Sequence, residues 1–330
     1  MIGLAPRGDS LPRPGLGAGG ARRARTLPTR GGKAGGRSGK LSSETQSGGP
    51  TRPDRGRADL HIHSKHSDGT RRPAEIVEVA LRAGLRAISL TDHDSVGGVD
   101  EITELGREAG LEVVPGIELS TNHQGGDFHV LGYFVNHRDP QLLNALRFLK
   151  EERERRAERI VARLNELGVP VGIEDVRRFR TGGTLGRPHV ARALEHLGVV
   201  SCVEEAFSRY LRSGAPAFVE KYRFSTLEGF ALLRSAGAAV VLAHPGNVDR
   251  PDLVLPLLEA GVDGVEVWHP RNQPQTQKLC LEAAARHGLV PTGGSDSHGN
   301  PAREREAEIG GVSVPYETVE RLRAVAARRR

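Results

Sequence analysis

The sequence has only two cysteines, Cys202 and Cys280, in 330 residues. Neither lies in a CxxC pair, which excludes a disulfide scaffold and argues against soft-metal or iron–sulfur sites. Two isolated thiols fit a reduced, cytoplasmic protein, where they read as small buried apolar residues. Aromatic residues are scarce at 4%, and hydrophobic content is modest at 37%. No apolar run approaches the roughly 20 residues that a membrane helix needs, so no membrane partner is expected. No apolar stretch follows Met1, so no secretory leader is expected either.

The net charge of +6 is unevenly spread. Residues 1–57 hold 12 of the 47 Lys and Arg and 3 of the 41 Asp and Glu. Beyond residue 57 that leaves 35 basic and 38 acidic side chains, a net of −3. Basicity therefore belongs to the tail, and stable duplex DNA binding by the folded part is not expected. The tail is rich in Gly, Arg, Ser and Pro without apolar periodicity, the composition of a disordered segment. It reads as a solvated arm, a weak polyanion-binding arm or an over-long translated start.

From residue 58 the apolar residues become periodic, and 273 residues suffice for a sizeable core. Strand patterns fall at 58–63, 86–91, 111–117, 128–135, 238–243, 264–268 and 289–293. Helical patterns fall at 73–83, opened by Pro73 and closed by Gly84, and at 98–109. Strands alternating with helices predict parallel βα units in an α/β barrel or a doubly wound sheet. Residues 140–225 read instead as helices throughout. Glu151–Arg155 and Glu152–Arg156 are spaced as ion pairs on the solvated face of one long helix. This segment divides the barrel into residues 58–139 and 226–330, and is expected to cover the barrel mouth.

One stretch organises the rest: Asp59-Leu60-His61-Ile62-His63-Ser64-Lys65-His66-Ser67-Asp68. The two-residue period of a strand turns His61 and His63 to one face, and Asp68 can fold back after a short polar turn. Thr91-Asp92-His93-Asp94, Gly116-Ile117-Glu118, Ala243-His244-Pro245-Gly246 and Ser295-Asp296-Ser297-His298 each fall where a strand pattern ends, and His129 lies in the fourth strand. In α/β barrels the carboxyl ends of the strands gather the active site. The candidates His61, His63, Asp68, His93, Glu118, His129, His244, Asp296 and His298 exceed what one ion can use. They suit two or three divalent ions, with Glu118 as a bridge. Mixed N and O donors fit Mn²⁺ first, with Zn²⁺ or Fe²⁺ as alternatives. His269, after Glu266-Val267-Trp268, has no evident ligand role and reads as structural.

HIHSKHSDGT, SLTDHDS, VPGIELS, HVLGYF, GRPHVARAL, LAHPG and GGSDSHG resemble the PHP (polymerase and histidinol phosphatase) family. The likeness is narrowest to its branch of 3′,5′-nucleoside bisphosphate phosphatases and RNA 5′-end exonucleases, over about residues 58–310. It implies a distorted (β/α)7 barrel with a trinuclear centre. By resemblance, His61, His63, Glu118 and Asp296 hold one ion; Glu118, His129 and His244 a second; Asp68, His93 and His298 the third.

The expected activity is hydrolysis of the 3′-phosphate of a nucleoside 3′,5′-bisphosphate by a metal-bridging hydroxide, with His61, His63, Glu118, His244 and Asp296 central. Arg187 and His189, opening a helix in the GRPH segment, together with Lys221 and its neighbour Tyr222, are expected to meet the substrate's remaining phosphate. Alternatives are 5′→3′ trimming of short RNA, histidinol-phosphate hydrolysis and a non-catalytic PHP module. The substrate partner is thus a small nucleotide or a short RNA. Oligomeric state is left open.

Overall fold

The computed structural model describes residues 56–180, 185–299 and 307–329. The basic tail lies outside these residues up to Arg55, and Arg57 already pairs in the first strand. In chain order the barrel opens with β1 (Arg57–Ile62), α1 (Pro73–Arg82), β2 (Leu85–Leu90), α2 (Val99–Ala109), β3 (Glu112–His123) and β4 (Gly126–Tyr133). A helical segment follows: α3 (Pro140–Glu166), α4 (Ile173–Arg177), α5 (Arg187–His196) and α6 (Val203–Ala206). The barrel resumes with β5 (Phe224–Ser225), α7 (Thr226–Ser235), β6 (Ala239–Leu242), α8 (Val254–Glu259), β7 (Gly264–Trp268), α9 (Pro274–His287) and β8 (Val290–Gly293). A short β9 (Val314–Pro315) and α10 (Glu317–Ala327) complete it.

The sheet runs β8-β7-β6-β4-β3-β2-β1-β9, with β5 beside β3. Its ends approach each other at the upper rim. The His63 N–H donates to the Ser297 carbonyl at 3.0 Å, and the Asp296 N–H to the His61 carbonyl at 2.8 Å. β1 to β4 and β6 to β8 thus form the nearly closed seven-stranded barrel that the motifs predict. Gly294 permits the closure, because a Cβ there would lie 2.4 Å from the His61 nitrogen.

Not every unit is parallel. β4 pairs antiparallel with both β3 and β6. The cause is the tight turn at Gln124–Gly125, whose φ values of 47° and 84° are left-handed. A connection this short makes a hairpin, since a parallel neighbour needs a long crossover. The hairpin carries β3 six residues past Ile117, so Glu118 sits inside a strand rather than at its end.

Leu60, Val114, Leu131, Tyr133 and Val241 pack the barrel with Val319 and Leu322 of α10. Tyr133 spends its hydroxyl inside, donating to the Leu60 carbonyl at 3.0 Å. Its outer side is covered by α1 and α2 on one flank and by α7, α8 and α9 on the other. α3 belongs to two cores. Its first half buries Leu142, Leu146 and Leu149 against the barrel, and its second half buries Ile160 and Leu164 against α4, α5 and α6. Cys280 is buried and Cys202 half-buried, both as free thiols. Among the described residues no helix is long and apolar enough to cross a membrane.

Candidate metal centre

β1 delivers His61 and His63 as neighbours, their rings 5.1 Å apart and both side chains fully enclosed. Asp92 then folds the following loop. It accepts from the Ser64 N–H at 2.7 Å, the Ser64 hydroxyl at 2.7 Å and the Ser67 hydroxyl at 2.6 Å. This returns Asp68 to the rim, where its Oδ1 lies 3.2 Å from His298 Nε2 and 3.9 Å from His63 Nδ1. His298 donates its Nδ1–H to the Asp296 carbonyl at 2.8 Å, which turns Nε2 toward Asp68.

Glu118, 0% exposed, occupies the middle. Its Oε2 is 3.2 Å from Nε2 of both His61 and His63 and 3.0 Å from His93 Nδ1. Its Oε1 is 2.9 Å from His129 Nδ1 and 2.8 Å from His244 Nε2. Asp296 Oδ1 completes the first group, 3.0 Å from His63 Nε2 and 3.4 Å from His61 Nε2. His61, His63, Glu118 and Asp296 set donor atoms within 4.8 Å of one another; so do His63, Asp68, His93 and His298, and so do His93, Glu118 and His129. All nine sequence candidates meet at one rim.

Charge is concentrated there. Burial alone pushes the Glu118 carboxyl up, but His93, His61 and His129 outweigh it and hold it well below the usual carboxylate range. Burial pulls His61 down, yet Glu266, Glu118 and Asp296 raise it well above the ordinary imidazole value. His93 stays well below that value, chiefly through burial. The backbone is strained at the same place: Asp94, His244 and Asp296 have φ of 49°, 26° and 53°. Non-glycine residues hold such angles only where their surroundings force them, typically at functional sites.

The donor set fits divalent cations. It combines imidazole nitrogens with carboxylate oxygens and no sulfur. His63 Nδ1 is buried and makes no hydrogen bond, while it lies 3.9 Å from Asp68 Oδ1. A ligand atom aimed at other ligand atoms is what a cation site requires.

The candidate substrate residues are more scattered. Arg187 opens α5 and donates to the Leu211 carbonyl at 3.2 Å, its guanidinium 5.6 Å from the Phe218 ring. His189 turns back as a cap, its Nδ1 accepting the Gly186 N–H at 3.0 Å. Lys221 Nζ lies 4.0 Å from Asp94 Oδ2, and Arg153 of α3 pairs with the same carboxylate. Asp94 also accepts the Ser120 N–H at 2.7 Å, which fixes it beside the centre. Burial, then Arg153 and Arg223, push Lys221 well below its ordinary value.

Arg153 and Arg156 escape a reading of the sequence, which assigns both to a solvated helix face. Glu152 pairs with Arg155 and Arg159, not Arg156. Arg156 turns inward and donates to the Val219 carbonyl at 2.8 Å. Burial, then Arg187 and Arg223, push Arg156 down to about 10. Glu266 and His269 are also missed as partners of the centre. Glu266 Oε1 lies 2.9 Å from His61 Nδ1, and His269 Nε2 lies 3.1 Å from Asp296 Oδ2. Their signal was the strand-end position of EVWH.

Comparison with known proteins agrees with this geometry. The PHP domain model matches residues 59–177. A 5′-3′ exoribonuclease of Haemophilus influenzae is 31% identical over 73% of this chain and 89% of its own length. A 3′,5′-nucleoside bisphosphate phosphatase of Chromobacterium violaceum is 30% identical over 73% and 86%. A phosphoribosyl 1,2-cyclic phosphate 1,2-diphosphodiesterase of Eggerthella lenta is 32% identical over 74% and 95%. A crystal structure from Bifidobacterium adolescentis, assigned as a metal-dependent phosphoesterase, superposes with a TM-score of 0.68 at 31% identity, over 81% of this chain and 96% of that one. The shared fold, the nine converging side chains and these relatives together place the chain in the PHP family of metal-dependent phosphoesterases.

Proposed function

We propose that this chain removes the 3′-phosphate from nucleoside 3′,5′-bisphosphates. The observation that carries the reading is a cationic group beside the metal centre. Arg153 and Lys221 share Asp94, Arg156 and Arg187 follow behind them, and the charge of Asp68 reaches Arg153. Enclosed cations whose values are pushed down by burial and by one another gain from an incoming anion. A second phosphate on the substrate supplies it, while the scissile phosphate lies at the ligands. Arg153 and Arg187 offer planar forks suited to phosphate.

In this reading His61, His63, Glu118 and Asp296 hold one cation, Glu118, His129 and His244 a second, and Asp68, His93 and His298 a third. Mn²⁺ suits this N and O donor set. When bound, such ions would lower the pKa of a water they hold to about 7 and neutralise charge on the phosphoryl oxygens. The chain's own work is to fix the donors and orient the second phosphate. We read residues 140–225 as the unit that covers the mouth, since α3 carries Arg153 from the helical core to the rim. The free thiols support a reduced, cytoplasmic setting.

A second reading is 5′→3′ trimming of short RNA, favoured by the exoribonuclease relative. In both cases a phosphoester is cut beside a 5′-phosphorylated nucleotide. Purified protein with Mn²⁺ should release inorganic phosphate from adenosine 3′,5′-bisphosphate. Release of mononucleotides from a 5′-phosphorylated oligoribonucleotide without phosphate release from the bisphosphate would move the assignment to the second reading. Turnover of a phosphoribosyl cyclic phosphate alone would overturn both.

A further inference from the structure

β7 carries none of the nine candidate ligands, yet it ends against three of them. Glu266, 0% exposed, receives two donors. Its Oε2 accepts the His244 backbone N–H at 2.7 Å, and its Oε1 lies 2.9 Å from His61 Nδ1. A carboxylate only accepts, so His61 must carry its proton on Nδ1. Nδ1 is thereby committed to Glu266, and His61 Nε2, 3.2 Å from Glu118 Oε2, is the atom that would turn a lone pair to a cation once the cation displaces its proton. His269 is fixed by the same reasoning. Its Nδ1 accepts the Arg271 N–H at 3.1 Å, so its proton sits on Nε2. That Nε2 donates to Asp296 Oδ2 at 3.1 Å, leaving Oδ1 turned toward His61 and His63. Asn272 anchors the pair, its amide donating to the Glu266 and Val267 carbonyls at 2.9 Å each.

We propose that Glu266 and His269 are positioning residues, which preset the tautomer of His61 and the orientation of Asp296 for the cation held by His61, His63, Glu118 and Asp296. The proposal rests on the metal centre read above and adds what organises one of its positions. Ligands arriving from β1 and from the ends of β6 and β8 are all fixed from β7. Buried partners of this kind orient ligands and raise their basicity.

The discriminating variant is Glu266→Gln, which keeps the shape but offers one acceptor where two donors arrive. If its oxygen takes the His244 N–H, its amide faces His61 Nδ1 and drives the His61 proton to Nε2, which removes that ligand atom. If it turns round, its N–H opposes the His244 N–H and displaces His244. Mn²⁺ equivalents per chain after dialysis, and Mn²⁺ affinity by chelator competition, read the effect. The parent should retain two or three equivalents. Glu266→Gln should lose about one of them, with affinity at that position falling about 10–100-fold while the metal-stripped protein still melts cooperatively. His269→Leu should act in the same direction, and His269→Gln, which restores an N–H donor, should recover much of the loss. Parent-like Mn²⁺ retention in both Glu266→Gln and His269→Leu overturns the proposal while leaving the centre intact. A parent that binds no Mn²⁺ overturns the centre, and this proposal with it.

Discussion

His244 Nε2 lies 2.8 Å from Glu118 Oε1, although 126 positions separate the two residues. That oxygen serves His129 as well, while the other serves His61, His63 and His93. One carboxylate thereby divides five imidazoles between its two oxygens. Glu118→Gln keeps the size but loses the charge and one acceptor. Phosphate release should fall about a thousandfold or more, because metal-ion stabilisation is worth several kcal/mol and each 1.36 kcal/mol is tenfold. Steady-state kinetics with saturating Mn²⁺ check this.

Arg153 and Lys221 should govern recognition rather than chemistry. Arg153→Ala should raise KM for a nucleoside bisphosphate about 10–100-fold, the worth of one or two charge-assisted hydrogen bonds. A substrate without the second phosphate should lose little. Equal losses on both substrates would place Arg153 at the scissile phosphate instead.

The helical core carries those cations, so loosening it should separate binding from metal content. Leu164 is fully buried between α3 and its neighbours. Leu164→Ala should cost about 2–5 kcal/mol of stability, measured by denaturant unfolding. Metal content should not change, because the candidate ligands all lie on the barrel.

Metal affinity should rise with pH. Burial alone pulls His63 down, but the Asp296 and Glu118 carboxylates at 3.0 and 3.2 Å outweigh it and push His63 up to about 10. The folded value lies above the unfolded one of 6.5. The protonated ring therefore stabilises the metal-free fold fully below about pH 6.5, and this contribution is lost as pH rises through about 10. A cation must displace that proton, so apparent affinity should rise about tenfold per pH unit for each proton released. Chelator competition at several pH values measures it, and a flat profile would contradict the exchange.

The convergence of the nine candidates is legible because strand periodicity and strand ends are local properties of sequence. HIH, TDHD, AHPG and SDSH each declare themselves within a few residues. Glu118 was found for a partly wrong reason, since β3 continues past it into a hairpin set by the turn at Gln124–Gly125. Arg153 and Arg156 were hidden by their setting. They alternate with glutamates on a helix, and only the segment containing Val219 and Lys221, more than 60 positions later, shows which arginines turn inward. Glu266 and His269 were hidden for a similar reason, because hydrogen bonding to another residue's ligand leaves no spacing signature.

The most direct test is the divalent metal content of the purified protein, by elemental mass spectrometry. The account predicts two or three equivalents per chain, of which the two that share Glu118 are lost together on replacing it with Gln. At most one equivalent in the parent, or full retention in Glu118→Gln, would contradict it.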